Sequence, residues 1–155
     1  MSIHNKLNRE DALEILALAE AMHHEAPSFQ NKPFDKHRMW AILDSTLHNP
    51  HNVCMIYAKI DGKIVGGILG KISEQFFSGE RVASDYGMFI LPEYRGSLTF
   101  VKMFKAFEDW AVENKAKTII VGHTTGIETE KAKSLFPRLG YSLMGYIFNK
   151  EIPNV

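Results

Sequence analysis

The run Ile90-Leu-Pro-Glu-Tyr-Arg95-Gly96-Ser97-Leu98-Thr99-Phe100 holds the residue types of an anion cradle: an apolar strand, a proline, a turn through Arg95, Gly96 and Ser97, and an amphipathic segment that starts at once. A glycine-containing turn feeding a helix N-terminus aims unpaired backbone N–H groups and the positive end of the helix dipole at one point. An anionic cofactor suits such a point. An ordinary strand-to-helix turn uses the same residue types. Two titratable side chains flank the run. Asp85, on the strand leading into it, becomes a candidate base if apolar neighbours raise its pKa toward the working range; as a solvated or salt-bridged carboxylate it does no chemistry. His123 follows the next apolar strand at its carboxyl end, and imidazole is the side chain suited to proton transfer near neutrality. Its other reading is a loop histidine bonded to a backbone group.

Other groups carry weaker chemistry. Tyr86, Tyr94, Tyr141 and Tyr146 could donate a proton, but aromatic residues on strands more often pack across the sheet. His23, His24, His48 and His51 stand at helix ends without a cysteine pair, whereas zinc needs three or four converging ligands, so no metal site is expected. Cys54 sits among Val53, Met55 and Ile56 as a small buried apolar side chain. Phe76 and Phe77 mark a hairpin tip that forms a partner surface, a substrate lid, or a flap folded back over the sheet.

The bulk properties narrow the setting for these groups. With 155 residues, 45% hydrophobic and 23% charged, residues 1–155 are expected to form one domain with a core of its own. Lys plus Arg equals Asp plus Glu, so no global field recruits nucleic acid or an anionic membrane. A lone cysteine excludes an internal disulfide and fits a reducing compartment. No apolar run reaches membrane-span length and Met1 to Asn8 lacks a signal-peptide core, so the expected location is cytoplasmic.

The elements that must position the site follow from periodicity. Ile3 to Leu7 predicts a short edge strand, and Asn8 followed by Glu10 and Asp11 caps a helix whose apolar run is Ala12 to Met22. After a proline-bounded link from Pro27 to Pro33, Asp35 caps a second helix carrying Met39, Ile42, Leu43 and Leu47. Val53 to Ile60, the Asp61-Gly62 turn and Lys63 to Ser73 form a hairpin, and Arg81 to Leu91 is the next antiparallel strand. Gly66, Gly67 and Gly70 predict bulges or a close approach to the backbone. A helix from Leu98 to Asn114 leads to a parallel strand at Thr118 to Val121. Thr125 to Glu128 reads as a capping box for a last helix that Pro137 ends or distorts and Gly140 closes, and Tyr141 to Met144 and Tyr146 to Ile152 alternate as two final strands. The chain's final strand edges could pair between two copies, giving a homodimer.

This order, with Ile3 to Ala12, Ala58 to Gly66, Ile90 to Gly96 and Ala132 to Tyr141 at the matching places, resembles the GNAT superfamily of N-acetyltransferases. The resemblance implies a single α/β (α+β) domain: a mixed, mostly antiparallel sheet of about seven strands flanked by about four helices. It also implies transfer of an acetyl group from acetyl-CoA to a primary amine of a small molecule or a protein. Carried onto this sequence, Arg95, Gly96, Ser97, Leu98, Thr99 and Phe100 would form the pyrophosphate loop, and Phe89 and Ile90 would meet the pantetheine arm and thioester. The chain departs from the family pattern where Leu98 and Phe100 occupy glycine-type positions, and where Phe136 stands in place of a tyrosine that protonates the thiolate. The alternative is a GNAT-like module that binds or supports without catalysis.

Overall fold

The computed structural model describes residues 1–154. Strands β1 (Ser2–His4), β2 (Val53–Ile60), β3 (Lys63–Glu74), β4 (Arg81–Ile90) and β5 (Thr118–Ile120) form one sheet in that spatial order. All neighbours are antiparallel except β4 and β5, which are parallel. The β2–β3 hairpin turns where both Asp61 and Gly62 adopt positive φ, 51° and 76°, as the tightest two-residue turn requires.

Helices α1 (Arg9–Glu25) and α2 (Lys36–His48) cover one face of the sheet, and α3 (Leu98–Glu113) and α4 (Thr129–Arg138) stand on the other. The Asn8 side chain caps α1 through the Asp11 N–H at 2.8 Å, and Asp35 caps α2 through the Arg38 N–H at 3.0 Å. Asp11 is itself buried. Burial alone would raise its pKa, but Lys59 at 2.6 Å and the Tyr57 hydroxyl at 2.7 Å hold the carboxylate below its usual range, pinning the start of α1 to β2. On the far face, Met103, Phe104, Phe107 and Ala111 of α3 are buried while Lys102, Lys105, Asp109 and Glu113 face water.

The predicted glycine positions serve packing. A Cβ on Gly70 would lie 2.5 Å from Phe107 Cε2 and 2.8 Å from Cys54 Sγ, so α3 sits directly on the β3 backbone there. The same place carries a bulge. Leu69 pairs with Gly87 and Gly70 with Asp85, which leaves Tyr86 as the extra residue and bends β4. Cys54 lies buried beside this contact, and burial pushes its thiol up to about 12.

Two expectations need correction. Among the described residues the sheet has five strands, not about seven, because Tyr141 to Met144 and Tyr146 to Ile152 form none. The three-residue β5 offers too short an edge to template them, and Leu143, Met144, Tyr146, Ile147, Phe148 and Ile152 are 73–89% exposed. Nor does Thr125 cap α4. The N-cap is Glu128, left-handed at φ 45°, and Thr125 Oγ1 instead accepts from the Ile127 N–H at 3.2 Å within the turn made by Gly126. Pro137 lies in the last turn of α4, so it limits the helix without breaking it earlier. Phe76 and Phe77 do not fold back over the sheet; they are 95% and 72% exposed at the β3–β4 turn.

Candidate active site

The bend in β4 coincides with the end of its pairing to β5, which covers only Val82 to Ser84 opposite Thr118 to Ile120. Beyond Ser84 the two strands part, and a cleft of about 970 Å³ opens between them. Its walls are Asp85 to Ile90 of β4, the start of α3, the β5–α4 loop with α4, and the apolar side of α1, α2 and their link. The α1–α2 link touches the β5–α4 loop where the Ser28 N–H donates to the Thr125 carbonyl at 3.1 Å.

The start of α3 faces this cleft. Gly96 takes φ 77°, a conformation that favours glycine, and Ser97 caps the helix by accepting from the Thr99 N–H at 3.3 Å while donating to the Tyr94 carbonyl at 2.6 Å. The N–H groups of the first turn precede any intrahelical acceptor and carry the positive end of the dipole. Arg95 braces the turn: its guanidinium bonds both oxygens of Glu25, at 2.8 and 3.0 Å, and its Nε donates to the Ile90 carbonyl at 3.1 Å. Of the two bulky residues in the loop, Phe100 stacks on Phe104 in the core with centroids 5.6 Å apart, and Leu98 is 71% exposed.

Asp85 and His123 come together at the fork. The Gly122 N–H donates to Asp85 Oδ1 at 3.1 Å, bridging the parted strands one residue before His123. His123 Nε2 is buried and has no hydrogen-bond partner among the described residues. An unpartnered buried imidazole nitrogen is costly to the fold unless something occupies it, and here it lines the cleft. Burial pushes the Asp85 carboxyl above its usual range, and the Gly122 N–H and the Lys71 charge draw it only part of the way back.

That shift has a measurable sign. Between the ordinary value of 3.8 and the raised folded value, the folded state holds the extra proton, so stability declines as pH rises through that window. Asp85→Asn keeps an Oδ1 acceptor for Gly122 and removes the charge. Thermal melts should place the variant above the wild type at neutral pH, with the difference closing below the ordinary carboxylate pKa. A variant that melts lower at neutral pH would show a carboxylate that supports the fold.

Residues 18–141 match the acetyltransferase (GNAT) family. The chain belongs to that family. Its GNAT fold is shared with solved structures of low sequence identity. Ribosomal-protein-alanine N-acetyltransferase from Brucella melitensis biovar Abortus 2308 aligns with a TM-score of 0.70 at 15% identity, over 98% of this chain and 100% of that one. The aminoglycoside acetyltransferase AAC(6')-Iy, in complex with the bisubstrate analog CoA-S-monomethyl-acetylneamine, gives 0.76 at 15% identity over 99% and 98%. The aminoglycoside acetyltransferase meta-AAC0020 from an uncultured soil metagenomic sample, in complex with sisomicin, gives 0.70 at 18% over 98% and 96%. No curated protein sequence matches the chain.

In this GNAT frame the other sequence candidates separate. Phe89, Ile90, Arg95, Gly96, Ser97, Leu98 and Phe100 all line the cleft, and Thr99 is buried behind them. Phe136 also lines it, edge-on to Phe104 at 5.7 Å and Tyr141 at 6.0 Å. The Tyr141 hydroxyl donates to Glu108 at 2.9 Å, and burial followed by that carboxylate raises its pKa, away from proton donation. Tyr146 is 80% exposed, and Tyr86 lines the cleft beneath Lys71, whose Nζ lies 4.6 Å from the ring centroid. His24 pairs with Glu20, His48 with Asp44, and His51 bonds Asn114, so these imidazoles are engaged separately. The sequence reading passed over Phe29 and Phe34 as part of a link. Two aromatic residues between Pro27 and Pro33 or just beyond, in an otherwise polar stretch, were the available signal.

Proposed function

We propose that this protein is an N-acetyltransferase that moves the acetyl group of acetyl-CoA to a primary amine of a small molecule or a protein. The observation that carries the proposal is His123 Nε2, buried and unpartnered at the fork where Asp85 stands. Acetyl-CoA supplies an activated thioester. The α3 N-terminus from Gly96 to Phe100 binds its pyrophosphate through backbone N–H groups, with Ser97 and Thr99 at the turn. Phe89 and Ile90, on the part of β4 that has left β5, hold the pantetheine arm along the strand. Asp85 attracts the ammonium of the acceptor, and His123, with its own proton on Nδ1, takes a proton at Nε2 to free the attacking lone pair. The His123 imidazolium would then return that proton to the sulfur of the departing CoA thiolate. His123 thereby supplies what Phe136 lacks.

Neighbours whose complexes contain CoA-linked or aminoglycoside ligands support this reading. A ligand at a hundred times its dissociation constant that binds only the native state stabilises it by about 2.7 kcal/mol. Acetyl-CoA and CoA should each raise the melting temperature accordingly, and acetyl-CoA with an amine should release free thiol. Unchanged melting with both nucleotides removes the proposal. A shift without thiol release for any amine favours a binding module, the reading to which Phe136 points.

The chain's end suggests how copies associate. Its apolar side chains from Leu143 to Ile152 stand in water, and among the described residues the outer edge of β5 is unpaired. We infer a homodimer in which these segments cover one another, read directly as a doubled mass in sedimentation equilibrium.

A further inference from the structure

The half of the cleft that faces α1 and α2 is apolar and aromatic. Met22, His23, Phe29, Phe34, Met39 and Ile42 line it, all partly exposed toward the cavity side. The aromatic rings are set by contacts of their own. His23 Nε2 bonds the Lys32 carbonyl at 2.6 Å, and its ring lies 5.3 Å from Phe34 and 6.4 Å, stacked, from Phe29. The link between α1 and α2 is therefore folded around an aromatic cluster that opens on the cavity.

Charge in the cleft is balanced and mostly committed. Its carboxylates are Asp85, Glu128 and Glu130, and its permanent cations are Arg95, Lys131 and Arg138. Glu128 is paired with Lys131 at 2.6 Å, and Arg95 with Glu25. Asp85 is the carboxylate that remains at the fork, reached by Lys71 only as a distant charge. A polycation such as an aminoglycoside requires several free carboxylates spread over its ring system, and this cavity offers one at the fork beside His123, its other uncommitted carboxylate, Glu130, being exposed in the first turn of α4 next to Lys131. An apolar wall leading to a single carboxylate at the fork fits one ammonium group on an apolar body.

Resting on the acetyltransferase reading above, we propose that the acceptor is a primary monoamine with an aryl or long alkyl body: its ammonium meets Asp85 and His123, and its body lies against Phe29, Phe34 and Met39. Burial of the body supplies affinity, and the absence of further paired charges excludes polyamines and aminoglycosides.

The test uses the full chain with 2-phenylethylamine, n-hexylamine, spermidine and kanamycin. Acetyl transfer is followed by thiol release, and amine binding to the CoA-loaded and the CoA-free protein by calorimetry. The expected result is a kcat/KM for 2-phenylethylamine at least about tenfold above those for spermidine and kanamycin. Phe34→Ala should raise KM for 2-phenylethylamine by about tenfold with kcat nearly kept and CoA affinity unchanged, and Met39→Ala serves the same purpose if Phe34→Ala melts before assay. Preference for kanamycin or spermidine overturns the proposal, as does a KM indifferent to both variants. Should thiol release be absent for every amine, the acetyltransferase reading fails separately, and calorimetry still decides the pocket. Binding of 2-phenylethylamine that weakens in Phe34→Ala sustains it, and no binding of 2-phenylethylamine or n-hexylamine overturns it.

Discussion

His123→Ala is expected to slow acetyl transfer by roughly a hundred- to ten-thousand-fold, the usual contribution of a positioned acid–base group. The protein should remain folded, because Nε2 makes no internal hydrogen bond that the truncation would break. Acetyl-CoA affinity, read by calorimetry, should be unchanged, since the loop proposed to bind pyrophosphate lies at the start of α3 and not on the β5–α4 loop. The loss should also be largest near neutral pH and shrink at high pH, where the amine is already free. Full activity in His123→Ala would remove the residue from the mechanism. A loss confined to KM would assign it to binding.

Phe104→Ala is expected to cost about 3–5 kcal/mol of folding stability, a large share of the 5–15 kcal/mol typical of a single domain. Phe104 is 1% exposed, and its ring meets Phe100, Phe107, Phe136 and Tyr141 at centroid distances between 5.4 and 5.9 Å. It thus joins the first turn of α3 to α4 and to Tyr141 just beyond the end of α4. The cavity left by truncation has rings on four sides that cannot all relax into it. Chemical denaturation should show a lower midpoint with an unchanged slope. A cost below about 1 kcal/mol would mean that α4 is not held to α3 through this ring.

The parts of the fold that were legible from residues alone are those governed by local rules. Asn8 and Asp35 cap the helices they were expected to cap, and the Asp61-Gly62 turn sets the β2–β3 register. Gly66, Gly67 and Gly70 gave away the close contact with β3, though not that Phe107 and Met55 make it. What resisted reading depends on distant partners. Tyr146, Phe148 and Ile152 alternate as a strand does, but alternation states which side chains share a face and not whether an edge stands ready beside them. The capping pattern at Thr125 was overridden because the same hydroxyl serves the Gly126 turn. At the site, Asp85 and His123 were recognisable as chemical types, and their meeting at the fork was not. It depends on a bulge at Tyr86 whose signal in the sequence is only a glycine on either strand. The aromatic wall of the cleft was missed for a related reason, since aromatic residues in a link have no periodicity to betray which cavity they line.

The ion pair between Arg95 and Glu25 has a consequence in linkage. Glu25 is the last residue of α1, three positions after Met22, and Arg95 sits at the anion loop, so a single guanidinium joins the two ends of the cleft. An anionic ligand that competes for Arg95 also loosens the end of the helix that carries the acceptor wall. By reciprocity, an acceptor that tightens that wall changes the affinity for the anion by the same factor. The coupling between the two ligands is then a property of one side-chain contact rather than of either site alone.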